Sequence, residues 1–210
     1  MADLHLSEDE QAERLKTWWK ENGSSVIAGA VLGIVVIGGV NYWRSHKAHQ
    51  EEAASALYAQ LVQGTGEKTA ADLGRQLMDD YSSTPYAGKA ALVLAKSAFE
   101  SGDKEKAKSR LEWAMNNAPD PEDRKVARLR LARVELDLGE VEKARTLLAG
   151  MKSGGYESQY RELLGDIAMA SKDPAKARKE YQAALESLPE RSSYAGMLNL
   201  KLDAAIGASK

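Results

Sequence analysis

The chain has 210 residues, its 29 basic and 31 acidic side chains nearly balance, and it contains no cysteine. A chain this close to neutral lacks the positive surface that nucleic-acid-binding domains need. The absence of thiols excludes disulfides, thiolate catalysis and cysteine-ligated metal sites. We therefore expect no nucleic-acid partner, and no motif in the chain indicates a cofactor.

Residues 1–22 form an acidic leader that predicts a short amphipathic helix. Ser7 and Glu10 have the spacing of a capping box, and we expect the helix to end near Gly23. Its apolar side would be formed by Leu15, Trp18 and Trp19. We expect this helix to lie at the membrane surface; a docking surface for a cytosolic partner is the alternative.

Residues 23–43 form an uncharged run that is about as long as a helix must be to cross the lipid bilayer. Aromatic residues flank it, with Trp18 and Trp19 before it and Tyr42 and Trp43 at its end. A buried core helix is one alternative, but it rarely extends this far without a charge. A cleaved signal peptide is another, but its leader would be basic and a cleavage site would follow. The run predicts a transmembrane anchor.

One face of this anchor carries small residues, because Ser25, Gly29 and Gly33 recur every four positions. Small residues at this spacing let two transmembrane helices approach closely. We predict a helix-packing face here.

The orientation of the anchor is predicted from nearby basic residues. Arg14, Lys16 and Lys20 precede the run, and Arg44 and Lys47 follow it. The positive-inside rule then places the N-terminus in the cytosol, although by a small margin.

The chain after the anchor reads as all-α, because helix-forming residues dominate and turn residues interrupt them at regular intervals. We predict a helical segment with a degenerate repeat over 44–87, three helical-hairpin repeats over 88–190, and a capping helix and tail over 191–210.

The repeats are recognised from small residues at fixed spacing. Ala107, Ala144 and Ala177 follow one another at intervals of 37 and 33 residues. Twelve residues before each alanine is another small residue, where we expect paired helices to cross: Ala95, Ala132 and Gly165. This pattern resembles the tetratricopeptide repeat, a helix-turn-helix unit of about 34 residues. One further step back reaches Ala70, which indicates the degenerate leading repeat.

The second repeat departs from the motif. Glu135 stands where a small or aromatic residue is usual, and Met151 stands where alanine is usual. The packing of this unit therefore differs from that of its neighbours.

In tetratricopeptide arrays the first helix of each unit lines a concave groove. By this resemblance the groove-facing residues are Lys89, Leu92, Lys96, Phe99, Val126, Leu129, Arg133, Leu136, Gln159, Glu162, Asp166 and Met169. This surface is apolar in the middle, basic toward one end and acidic toward the other. It suits an extended or partly folded polypeptide. It differs from the asparagine-rich grooves that clamp a C-terminal carboxylate.

No catalytic motif is present. The chain has no glycine-rich phosphate loop, no Gly-x-Ser-x-Gly elbow and no His-Glu-x-x-His sequence. We expect a binding protein and not an enzyme.

The whole layout resembles the YfgM-like ancillary SecYEG translocon subunit family. The residues that carry this resemblance are the acidic leader with Trp18-Trp19-Lys20, the glycine-rich run ending in Tyr42-Trp43-Arg44, and the short repeat array. The resemblance implies a bacterial inner-membrane protein with a cytosolic N-terminus and a periplasmic repeat domain. It implies association with the protein-translocation channel and a membrane-anchored periplasmic chaperone, and a link to an envelope stress response.

Two functional classes remain open at this point. The first is an adaptor or chaperone that holds or passes secreted client polypeptides in its groove. The second is a membrane-tethered scaffold or regulator that binds fixed partners and no client.

Overall fold

The computed structural model describes residues 8–64 and 69–208, and every regular element in them is helical. The helices are α1 (Glu8–Gln63), α2 (Ala70–Asp80), α3 (Pro85–Glu100), α4 (Lys104–Asn117), α5 (Pro121–Asp137), α6 (Val141–Leu148), α7 (Glu157–Ala170), α8 (Pro174–Glu186) and α9 (Ala195–Gly207), with a short 3-10 turn at Gly154–Tyr156. The chain divides into two compact units, one up to Gln50 and one from Glu51 onward. The predicted all-α class is confirmed.

Helix α1 does not end near Gly23, so the prediction of a separate leader helix is wrong. Gly23 lies inside α1, where the indole of Trp19 one turn earlier covers it. A single glycine costs a helix only about 1 kcal/mol relative to alanine, which is too little to break a helix this long. Ser7, half of the predicted capping box, lies outside the described residues.

The first unit displays its apolar side chains outward. Leu32, Ile34 and Val35 are each about two-thirds exposed on α1. Of the helices in the described part of the chain, α1 alone is long and apolar enough to cross a membrane.

The second unit begins with the end of α1 and with α2, which packs against α3. Leu61, Leu73 and Leu77 are buried against α3 in one core. Gly74 is the small residue where α2 crosses α3, since an added Cβ would lie 2.3 Å from Cδ1 of Leu94. Ala70, which the repeat spacing indicated, is instead exposed at the start of α2.

Three helical hairpins follow, α3 with α4, α5 with α6 and α7 with α8. The alanines that open the second helices, Ala107, Ala144 and Ala177, are fully buried. At the third crossing Gly165 lies against the ring of Tyr181. Ala95 and Ala132, the crossing residues predicted for the first two hairpins, are buried as well. The close approach itself is confirmed at Gly165.

Turn geometry also repeats between the paired helices. Asp103 and Asp173 each accept a hydrogen bond from a backbone N–H in the first turn of the following helix. Gly102 and Gly139 adopt a φ of +84°, which favours glycine. Lys172 holds the equivalent position in the third unit at a φ of +60°.

Two features distinguish the second hairpin, α5 with α6, at the positions where its sequence departs from the motif. Glu135 is buried but its carboxylate accepts from Lys108 on α4 at 2.8 Å. Helix α6 ends at Leu148, so Met151 lies beyond it and is only half-buried. Met151 therefore departs from the motif in the structure as it does in the sequence.

A candidate polypeptide-binding groove

The first helices of the three hairpins lie side by side, since α5 contacts both α3 and α7. The end of α1 extends this row, because the rings of Tyr58 and Tyr86 lie 5.7 Å apart on α1 and α3. Three pockets follow one another along this row of helices. We call these three pockets together the groove.

The pocket between α3 and α5 has a volume of about 130 Å³. Ala95, Leu111 and Val134 form its apolar wall, and Phe99 is 40% exposed at its side. Its polar rim consists of Lys96, Arg130 and Arg133.

The other two pockets lie on either side of the first. The pocket between α5 and α7 has a volume of about 250 Å³ and is lined by Val126, Leu129, Arg130, Arg133, Tyr156, Gln159 and Leu163. The pocket between α1, α3 and α5 has a volume of about 260 Å³ and is lined by Tyr58, Lys89, Leu92, Val93, Lys96 and Arg130.

Most of the predicted groove residues meet in these pockets. Those that do are Lys89, Leu92, Lys96, Phe99, Val126, Leu129, Arg133 and Gln159. Leu92 and Leu129 are only 7% and 8% exposed, so they form the floor and also belong to the core. Leu136 and Met169 do not line these pockets, since they pack half-buried against core residues of the second and third hairpins.

The acidic residues at one end of the predicted groove are paired with cations of the same chain. The carboxylate of Glu162 is buried and accepts hydrogen bonds from Arg133 at 3.0 Å, from Lys201 of α9 at 2.6 Å, and from the hydroxyl of Tyr194. Lys201 also donates to Asp166 at 2.7 Å. The prediction that Glu162 faces an open groove is therefore wrong, because side chains of the capping region cover it. Asp166 is half-buried and paired with Lys201, and its place in the groove stays a prediction.

The pKa values of Glu162 and Tyr194 are shifted by these contacts. Burial by itself raises the pKa of Glu162, but hydrogen bonds from Lys201 and Tyr194 and the charges of Arg133 and Lys201 outweigh burial and lower that pKa. Burial and the hydrogen bond to Glu162 raise the pKa of Tyr194 to about 12. Both shifts keep the carboxylate charged and the phenol neutral near pH 7.

Comparison with known proteins identifies the family. The family model described as a tetratricopeptide repeat-like domain matches residues 16–207. A protein of Haemophilus influenzae is 32% identical over 184 residues, which is 87% of this chain and 90% of that protein. One of Aggregatibacter actinomycetemcomitans is 33% identical with the same coverage, and one of Escherichia coli is 27% identical over 88% of this chain and 90% of its own length. Each is described as an ancillary SecYEG translocon subunit.

This chain belongs to the family of ancillary SecYEG translocon subunits. The resemblance drawn from the tryptophan-rich leader, the glycine-rich run and the repeats is thereby confirmed. A translocon subunit with tetratricopeptide-like repeats is a protein of the binding class. No solved structure matches the chain significantly.

Sequence reasoning did not predict several of the residues that line the groove, among them Tyr58, Arg130 and Tyr156. The position of Arg130 in the groove could have been predicted from the sequence. Arg130 lies four residues after Val126 and three before Arg133 on α5, so it shares their helix face. Tyr58 and Tyr156 lie outside the three matched first helices, on α1 and on the turn before α7, so the repeat motif gave no signal for them.

The predicted packing face of the anchor is open in this single chain. A Cβ added at Gly29 or Gly33 would meet no atom within 4 Å. The face is thus accessible along α1 to a neighbouring helix, and its use by a partner stays a prediction.

Proposed function

We propose that this protein is a membrane-anchored ancillary subunit of the SecYEG translocon whose repeat domain holds or passes exported polypeptides. The relatives' descriptions support the association with the translocon. The outward apolar side chains of α1 support the anchor. The repeat domain would lie in the periplasm, with the N-terminus in the cytosol.

The observation that carries the client-holding role is the line of three pockets across α1, α3, α5 and α7. Their floor is apolar and their rim is charged, so an extended chain could place apolar side chains in the pockets while its backbone stays hydrated. Separate pockets along one row suit a flexible segment better than a compact small molecule.

Crosslinking from the groove tests this role. A photoreactive amino acid at Phe99 is expected to crosslink to a translocating precursor during export. The same probe at Lys179, exposed on the second helix α8, is expected not to. Precursor crosslinks of equal yield from both positions would contradict a role for the groove.

The same experiment separates the alternatives. A precursor-independent crosslink from Phe99 to one discrete protein, such as a membrane-anchored periplasmic chaperone, would favour a scaffold with fixed partners. Crosslinks from the anchor to the translocation channel would support the association in either case.

Topology is tested independently. Protease added outside spheroplasts should degrade the domain after Arg44 if the N-terminus is cytosolic. Protection until lysis would contradict the proposed orientation.

A further inference from the structure

Arg130 is distinguished by its position, because it lines all three pockets of the groove. It lies on α5, the middle helix of the row, and its side chain is exposed. Among the described residues no carboxylate lies within ion-pair distance of its guanidinium. An arginine at the centre of a groove and without an anionic partner is available to one from outside.

The other cations of the groove already have carboxylate partners. Lys89 donates to Asp123 at 2.9 Å, and Arg133 donates to the buried Glu162 at 3.0 Å. Lys96 pairs with Glu100 at 3.6 Å, although both side chains are about two-thirds exposed and the pair is correspondingly weak. The uncompensated charge of the groove is thus positive, and it is centred on Arg130.

We propose, building on the function above, that the groove selects polypeptide segments in which an acidic side chain lies between two apolar ones. The guanidinium of Arg130 binds the carboxylate through paired N–H donors. The apolar side chains enter the pocket beside Phe99 and the pocket above Leu129.

The spacing of the helices sets the spacing of such a segment. Packed helices lie about 8–10 Å apart, and an extended chain in the polyproline II conformation advances about 3.1 Å per residue with three residues per turn. Side chains three residues apart therefore lie about 9 Å apart on the same face of the segment. They can enter the α3–α5 and α5–α7 pockets, with the acid between them. Because pockets lie on both sides of Arg130, the bound carboxylate belongs to an internal Asp or Glu and not to a chain terminus.

Peptide binding to the full chain in lipid nanodiscs tests the proposal. The probes are fluorescent peptides with acetylated and amidated ends, a Leu-Ser-Glu-Leu core and Gly-Ser flanks, together with versions that have Gln or Lys in place of Glu. Fluorescence anisotropy should show that the Glu peptide binds about five- to tenfold more tightly than the Gln peptide, as expected for one charge-assisted contact.

The variants assign this preference to Arg130. Arg130→Gln should abolish the difference between Glu and Gln peptides, and Arg130→Glu should make the Lys peptide the tightest. Arg178→Gln, an exposed arginine on α8, is the matched control and should keep the wild-type preference. Unchanged melting temperatures would show that all three variants are folded.

Equal binding of the Glu and Gln peptides by the wild type, or an unchanged ratio in Arg130→Gln, would overturn this inference while leaving the proposed function intact. Absence of binding by all three peptides would also overturn it. The crosslinks from Phe99 then decide the proposed function separately.

Discussion

Gly165→Ala tests how tightly the third hairpin closes. The added Cβ would lie 2.4 Å from Cε1 and 2.6 Å from Cδ1 of Tyr181, well inside contact distance. The Tyr181 ring has little freedom to move away, because it is 2% exposed and its hydroxyl donates to Asp166 at 2.8 Å. We therefore expect Gly165→Ala to destabilise the domain although alanine is the better helix former.

The magnitude follows from two opposing effects. Replacing glycine by alanine inside a helix gains about 1 kcal/mol. Overpacking a tight core site costs about 1–3 kcal/mol, and displacing the ring would also weaken the hydrogen bond to Asp166. The difference between these two effects is about 0–2 kcal/mol. A hydrogen bond contributes about 0.5–1.5 kcal/mol, so its weakening brings the expected net loss to about 1–2 kcal/mol. For a domain of this size that corresponds to a fall in melting temperature of roughly 2–8 °C.

Thermal unfolding followed by circular dichroism on the full chain in detergent measures this fall. The control is Gly196→Ala in α9, where an added Cβ meets nothing within 4 Å and the melting temperature should stay the same or rise. In a Tyr181→Leu background the ring is gone, so Gly165→Ala should cause no further loss. If Gly165→Ala melts at or above the wild type, the close approach of α7 and α8 has been misplaced.

Four further predictions concern other parts of the chain. Phe99→Ala should change the free energy of unfolding by less than about 1 kcal/mol and reduce precursor crosslinking from a probe at the neighbouring Lys96. The control Leu148→Ala removes a side chain that is only 1% exposed and should lower the free energy of unfolding by about 2–5 kcal/mol. Similar losses of stability in both variants would show that Phe99 belongs to the core. Lys172→Gly should raise the free energy of unfolding in urea by up to about 1 kcal/mol, because glycine adopts the left-handed backbone conformation of this position more easily than lysine does. Gly102→Lys should lower it for the same reason. Changes of the opposite sign would show that the backbone at these turns is not strained. Because the pKa of Glu162 is lowered in the folded state, its carboxylate stabilises the fold above pH 4.5, the ordinary pKa, and this stabilisation is lost as the pH falls through the lowered pKa. The difference in unfolding free energy between wild type and Glu162→Gln should therefore shrink in acid. A difference that stays constant with pH would show that the charge of Glu162 does not stabilise the fold. Leucine at both Gly29 and Gly33 should keep membrane insertion and reduce co-purification of translocon components, and undiminished co-purification would exclude this face.

Sequence recovered those parts of the fold that depend on one residue and its immediate helix. The alanines at 107, 144 and 177 are recognisable because only a small side chain fits where two helices cross, and each is fully buried. Helix continuity at Gly23 was not recoverable in this way. The turn signal of a glycine was outweighed by the length of α1 and by the covering indole of Trp19.

Charged residues were the least predictable, because their partners are distant in sequence. Glu135 and Lys108 lie on different helices, and Glu162 and Lys201 are 39 residues apart. Nothing in a repeat motif indicates that a buried glutamate will form an ion pair with a lysine of the capping helix. The prediction that Glu162 faces an open groove was wrong for this reason.

That correction changes which polypeptides the groove should prefer. Because Glu162 and Asp166 are paired with Lys201, their charges are not available to balance the cations of α3 and α5. Lys89, Lys96 and Arg133 are each paired within the chain, so the remaining charge lies on Arg130. A groove that seemed graded from basic to acidic is instead apolar with one central unpaired cation among the described residues. A polypeptide segment with an acidic residue between two apolar residues matches this groove in both charge and shape.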